Sequence, residues 1–464
     1  MALGFLAAAA LGGYLLASGG HGFPLDDAWI HQTYARNLAQ RGEWAFVPGQ
    51  PSGGATSVLW VLLLTPSAWL GPEVWAGLLG WLALWGLGLL GAAAFARLRP
   101  AQAAWAPWVG ALLILEFHLV WAAGSGMETA LFALLCLAAL WLSLHTPLPG
   151  FAAGLLVGLA VLVRPEGLTL LGPLGLVAVR RTRPAGTLAG LAAGLCVLLV
   201  PYLLFNHSVA GTWWPNTLYA KQAEYAALLA QPLGARWAAQ LAQPLIGAGL
   251  VLLPGLLVGG LRAWRQRHWL ELSWGAWLLG FALLFALRLP VTYQHGRYAM
   301  PVIPILLVLA AAGALAASAQ LRSAHWRRRL GFAWSSLLAL CTLAFYILGA
   351  RAYGRDVAFI QNNMVAAAEW LAANTPASAR LAAHDIGALG YFAPRPLLDL
   401  AGLVSPEVVP FLRDEARLAQ YLDAQRAEYV ILFPDWYPQL SQRAAPVWRA
   451  PAGEMVILRW PAGE

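Results

Sequence analysis

The chain is poor in charge. Only 11% of its 464 residues are charged and 60% are hydrophobic, where a soluble domain carries about 25% charged residues. That shortage excludes an ordinary soluble enzyme of this length. Cysteine is also scarce. Cys136, Cys196 and Cys341 lie far apart inside apolar runs, so they form neither a metal-ligand pattern nor a disulfide framework. Lysine is almost missing: of 29 basic residues all but Lys221 are arginine, and the single exception draws attention to its motif. No Gly-rich phosphate loop or cytoplasmic domain for a nucleotide is visible.

What is present is a succession of apolar segments, near 2–19, 56–70, 74–95, 105–123, 127–144, 150–179, 186–205, 243–261, 270–287, 299–318 and 331–349. Runs of about 18–20 apolar residues span the hydrocarbon core as helices. With 150–179 counted as one broken span, about 11 transmembrane helices are expected. The first, Ala2 to Ser18, has no basic region before it and reads as a retained helix rather than a cleaved signal. The net charge of +8 sits in short arginine clusters between the runs, at Arg180, Arg181 and Arg183, at Arg262, Arg265 and Arg267, and at Arg327, Arg328 and Arg329. Such clusters mark cytoplasmic loops, so the positive balance reflects topology and not a nucleic-acid surface. Working outward from them, 206–242, 288–298 and the C-terminal part are expected outside. Arg97 and Arg99 conflict with an external 20–55 loop unless 56–95 is broken or re-entrant. From Arg351 the composition changes: Glu428–Phe433 and Met455–Trp460 read as strands and Met364–Ala373 as a helix. The expected division is a membrane domain, 1–350, and a small extracytoplasmic α/β cap, 351–464.

Several polar groups stand out in this apolar background. Asp26 and Asp27 follow the first span; either can cap the next helix, but two adjacent acids beside lipid are costly. A carboxyl next to a second acid has a raised pKa and suits proton abstraction. Tyr34 follows in the same stretch. Glu128 opens a later span, where a first-turn acid also favours the helix dipole. Arg164 and Glu166 interrupt the 150–179 run, as a turn with a local ion pair or as charges facing a cavity. Asn216, Tyr219 and Lys221 share one external motif, and His295 and Arg297 another. Lysine as a point charge and arginine as a planar fork could together hold a phosphate, although each alone also suits a residue snorkelling to the interface.

The blocks Asp26–Ile30, Tyr34–Asn37, Gly126–Phe132, Arg164–Gly167, Pro215–Lys221 and Arg297–Pro301, with His384–Phe392 and Asp399–Val404 in the tail, resemble the membrane glycosyltransferases of the GT-C class. The nearest branch resembles the terminal β-(1→2) arabinofuranosyltransferases of the mycobacterial cell wall and their bacterial relatives. The resemblance implies a GT-C fold and an inverting transferase moving a sugar, arabinofuranose in that branch, from a polyprenyl-phosphate donor to a cell-envelope glycan or lipid acceptor on the outer face. It implies Asp26 as base with Asp27 second. Lys221, Arg297, His295 and Arg164 would hold the donor phosphate, and Tyr34, Glu128, Glu166, Asn216 and Tyr219 would line the substrate site. Some members of the class use a divalent cation, which Asp26, Asp27 and Glu128 would hold. The competing expectation is a transporter or flippase of a lipid-linked sugar, which calls for paired broken helices in two similar halves; no internal repeat is visible.

Overall fold

The computed structural model describes residues 1–181, 183–451 and 453–461; position 182 of the expected cytoplasmic loop and 452 and 462–464 of the expected cap lie outside them. The chain opens with α1 (Ala2–Ala17), α2 (Asp27–Arg41), a small hairpin of β1 (Ala45–Val47) and β2 (Gln50–Pro51), then α3 (Val58–Leu64), α4 (Ser67–Leu70) and α5 (Pro72–Leu98). Next come α6 (Ala106–Leu115), α7 (Phe117–Gly124), α8 (Thr129–Leu142), α9 (Gly150–Val163), α10 (Leu171–Val179) and α11 (Pro184–Ala210). Shorter α12 (Asn216–Glu224) and α13 (Leu233–Ala242) precede α14 (Ala248–Arg265), α15 (Trp269–Arg288), a tight turn α16 (Tyr293–Gly296), α17 (Ile303–Ser318) and α18 (Ala324–Ile360).

Among the described residues six helices are long and apolar enough to cross a membrane, or seven if α6 and α7, bent by 56°, form one span. The bend falls at Glu116, whose carboxylate caps the new helix at the Leu119 amide. The chain is a helical, multi-pass membrane protein.

Glycines set the closest helix contacts. Gly150, Gly154 and Gly158 repeat every four residues and therefore lie on one face of α9. A Cβ at Gly150 would meet the Thr187 carbonyl at 2.3 Å, at Gly154 the Leu191 carbonyl at 2.2 Å, and at Gly158 the Leu198 side chain. This is the small-residue packing that lets membrane helices approach backbone to backbone. The partners advance in step, so α9 and α11 run parallel. Between two parallel helices the chain must return, and α10 makes that return.

Two expectations are thereby corrected. The 150–179 run is a helical hairpin rather than one broken span, turned at Arg164, whose backbone is extended (φ −152°, ψ 133°). The 56–70 run does not form a span. Pro66 divides it into a seven-residue and a four-residue helix, the second ended by Gly71, together about 16 Å at 1.5 Å per residue, roughly half the hydrocarbon thickness. It packs beside α2, where Ser67 donates to Gln32 at 2.6 Å and Gln32 donates to the Pro72 carbonyl. Glu271 pairs with Arg99 at 2.7 Å, and Arg180 lies 3.8 Å over the Trp269 ring. Arg99 and Arg180 thus share one end of the bundle, opposite Asp27 and Arg297.

The helix α18 continues without a gap, through one wide turn at Gln361–Val365, into α19 (Ala366–Asn374), so the expected boundary at 350 falls inside a continuous rod. Beyond it lie β3 (Leu381–Ala383), α20 (Gly387–Phe392), β4 (Leu397–Asp399), α21 (Glu415–Ala424), β5 (Tyr429–Leu432), α22 (Pro438–Ser441), β6 (Pro446–Arg449) and β7 (Val456–Arg459). The sheet order is β4-β3-β5-β7-β6, with β3 parallel to both neighbours and β7 antiparallel to both of its own. Its apolar faces bury Val430, Leu432, Leu418, Leu422 and Leu458. The strands expected near 428–433 and 455–460 and the helix near 364–373 are present as β5, β7 and α19.

Candidate functional site

At the Asp27 end of the bundle a cavity of about 530 Å³ opens between α2, the Gly126–Glu128 turn, the Arg164 turn, α12 and the loop after α15. Two loops are stitched together at its rim: the Asn216 amide donates to the Gly53 carbonyl at 3.0 Å and the Thr217 hydroxyl to the Gly54 carbonyl at 2.8 Å.

Asp27, in the first turn of α2, points inward and receives Arg297 Nη2 at 2.7 Å. Burial opposes its charge, but Arg297 and Lys221 outweigh that and hold its carboxyl well below the usual carboxylate range. The Arg297 side chain is almost fully buried, and its Nε and Nη1 have no partner among the described residues. The Tyr298 ring centroid lies 5.0 Å from the Arg297 guanidinium and 4.9 Å from that of Arg164. Arg164 donates to Glu128 at 3.2 Å and to Glu166 at 3.4 Å. Lys221 reaches the cavity from α12 with only a loose contact to Glu224 at 3.8 Å. Burial disfavours its charge, yet Asp27, Tyr298 and Glu224 more than compensate and keep the ammonium protonated beyond its ordinary range.

Asp27, Glu128, Glu166, Arg164, Lys221, Arg297 and Tyr219 all line this one cavity. Four expected residues do not line it. Asp26 turns the other way: its two oxygens accept the Gly387 and Ala388 amides at 2.6 and 2.8 Å, docking the start of α20 on α2. Burial and the Asp385 carboxyl beside it push Asp26 up to about 8, against the pull of those two amides. Tyr34 is fully buried, bonded to Ser52 at 2.6 Å and to the Gly54 amide at 3.0 Å, so it supports the rim. Asn216 is buried in the same seam, its Oδ1 accepting from Thr212. His295 Nε2 pairs with Asp356 of α18 at 2.7 Å.

Sequence reasoning passed over His31, which lines the cavity one turn after Asp27, 3.6 Å from Glu128. Burial lowers its pKa, which favours the neutral ring. Its i+4 spacing from Asp27 was the available signal. The expected cation ligands do not fit together. Asp26 is spent on amides, Asp27 on Arg297 and Glu128 on Arg164, and among the described residues no three His, Cys, Asp or Glu side chains gather as a metal set.

The fold is that of the GT-C membrane glycosyltransferases, as comparison with solved structures shows. The chain is similar to ArnT from Cupriavidus metallidurans bound to undecaprenyl phosphate, at 17% identity and TM-score 0.60, over 98% of this chain and 97% of that one. It is also similar to the archaeal oligosaccharyltransferase AglB from Archaeoglobus fulgidus in complex with an inhibitory peptide and a dolichol-phosphate, at 12% identity and TM-score 0.63, over 98% of this chain and 74% of that one. Residues 355–458 match a family described as a domain of unknown function, DUF8728. No curated protein matches the chain.

Proposed function

We propose that this chain is an inverting glycosyltransferase that moves a sugar from a polyprenyl-phosphate donor to a glycan or lipid acceptor of the cell envelope. One observation carries the reading: Arg297, which lines the cavity together with Lys221 and Arg164, keeps two buried nitrogens without a partner among the described residues. Buried polar groups are normally satisfied, and an arginine fork with spare donors matches a phosphate oxygen pair. The lipid phosphates bound by the two similar proteins support a phosphate there. Apolar Leu168, Leu218, Leu284 and Phe285 beside these charges suit the first carbons of a lipid tail.

In this mechanism Asp27, rather than Asp26, faces the reacting centre. Arg297 and Lys221 hold Asp27 ionised. When the donor phosphate engages those cations, part of their field is neutralised and the carboxylate becomes a better proton acceptor. It takes the acceptor's hydroxyl proton as that oxygen attacks the anomeric carbon; the phosphate–sugar bond breaks, and the lipid phosphate leaves against Arg297, Lys221 and Arg164. Displacement from the opposite face inverts the centre. Arabinofuranose is the sugar that the sequence resemblance favours.

A path of eleven crossings is our reading of the topology: α1, α5, the α6–α7 pair, α8, α9, α10 together with the 3₁₀ helix Pro165–Leu170 that runs into it, α11, α14, α15, α17 and α18, with α3 and α4 staying on the outer side. It brings Arg97, Arg99 and the three arginine clusters to the cytoplasmic face and the cavity and C-terminal domain outside. The test is to supply the purified protein in detergent, with membrane extract as acceptor source, with a panel of polyprenyl-phosphate sugars and measure the lipid phosphate released. One donor consumed by wild type and spared by Asp27→Asn is expected; no donor consumed would overturn the reading.

A further inference from the structure

The turn that precedes Arg297 has an unusual backbone. Gln294, His295 and Gly296 are all left-handed, with φ of 53°, 57° and 65°. Glycine tolerates that conformation, but glutamine and histidine adopt it at a cost, and three in succession persist only where surrounding contacts impose them. Gly296 has no alternative: a Cβ there would lie 2.6 Å from the Gln243 side chain. Two elements outside the loop hold it. His295 Nε2 meets Asp356 Oδ2 at 2.7 Å, and the same oxygen accepts the Trp121 indole N–H at 3.0 Å, with the Trp121 ring 5.1 Å from the imidazole. Asp356 belongs to α18 and Trp121 to α7, so a strained loop is fastened to two long helices. The next residue is Arg297.

We propose that the His295–Asp356 pair is a latch that keeps this turn left-handed and thereby aims Arg297 into the cavity, making His295 and Asp356 positioning residues for phosphate binding. The inference rests on the reading that Arg297 takes the lipid phosphate. Neither latch residue lines the cavity, yet opening the latch lets the turn relax to right-handed backbone, which swings the following side chain away from Asp27. Since Asp356 sits on the rod leading into the C-terminal domain, the latch also ties the aim of Arg297 to that domain's position.

The test titrates undecaprenyl phosphate against full-length wild type, His295→Ala, Asp356→Ala, the double variant, His295→Gly and Arg297→Gln, with thermal unfolding as the folding control. Each single alanine variant is expected to weaken binding roughly tenfold, the scale that a small misplacement of a binding group produces, and the double variant no further, because both break one latch. His295→Gly is expected to bind better than His295→Ala, since glycine adopts the left-handed form without a latch; a side chain that served only packing would give the reverse order. Should one variant fail to fold, Asp356→Asn and His295→Gly carry the same comparison. Wild-type binding retained in His295→Ala and Asp356→Ala, but lost in Arg297→Gln, would overturn the latch and leave the function standing. Absent binding by wild type, or full binding by Arg297→Gln, would overturn the functional reading and the latch with it.

Discussion

Arg99 and Arg297 sit at opposite ends of the same helix bundle and use their guanidiniums in opposite ways. Arg99 spends every nitrogen: Nη1 and Nη2 form a fork on Glu271 at 2.9 and 2.7 Å, Nη1 also donates to the Leu98 carbonyl, and Nε donates to the Ala312 carbonyl. Arg297 gives one nitrogen to Asp27 and Tyr298 and leaves two buried and unpartnered beside a cavity. An arginine that closes its own hydrogen bonds fastens helix ends. One that leaves buried donors unspent keeps hydrogen-bonding capacity for another group.

The contrast can be broken in four places, from the largest effect to the smallest. Asp27→Asn is expected to lower sugar transfer by about 10²–10⁴-fold, the range for losing a general base, while undecaprenyl phosphate still binds; comparing turnover with equilibrium binding checks this, and a parallel loss of both would point to Asp27 as a binding group only. Arg99→Ala is expected to cost about 3 kcal/mol of stability, because Glu271 is left buried without its partner, and to leave lipid-phosphate affinity unchanged. Thermal unfolding and titration of the same preparation separate the two. Lys221→Met is expected to weaken lipid-phosphate binding by roughly tenfold through loss of one charge contact, with no drop in thermal stability. An affinity equal to wild type would remove Lys221 from the phosphate site.

The fourth is a pH effect at Asp26. Its folded pKa, about 8, lies well above the ordinary carboxylate value of 3.8. A raised acid binds its proton more tightly in the folded state, so its contribution is fully present below about 4 and is lost as pH rises through about 8. Asp26→Asn cannot titrate, so melting temperatures taken from pH 5 to pH 8 should fall less steeply than in wild type. The slope will not vanish, since burial also raises the neighbouring Asp385. An unchanged slope would show that Asp26 is not among the groups responsible.

Much of this was legible in the sequence because membrane insertion and ion pairing leave compositional marks. The apolar runs, the arginine clusters and the strands near 430 and 457 followed from residue types and their order, while the grouping of Asp27, Glu128, Arg164, Lys221 and Arg297 came from the family resemblance. What was hidden depended on direction. Adjacent residues at a helix start point about 100° apart; the resemblance put Asp26 first and Asp27 second, whereas the oxygens of Asp26 are taken by the amides of Gly387 and Ala388 and Asp27 lines the cavity. The 56–70 run has the composition of a span but is broken at Pro66 and stopped by Gly71 just beyond it. The 150–179 run was long enough for two short helices, and only the parallel partner α11 shows that the chain turns back. His295 read as one more cation on the outer face; Asp356, 61 positions later, claims it instead.

The central claim is that the unspent donors of Arg297 take a lipid phosphate, and its most direct test is to titrate undecaprenyl phosphate against wild type, Arg297→Gln and Arg99→Gln in the same detergent. The account predicts that wild type and Arg99→Gln bind alike and that Arg297→Gln binds at least about tenfold more weakly. Equal affinities in all three proteins would contradict it.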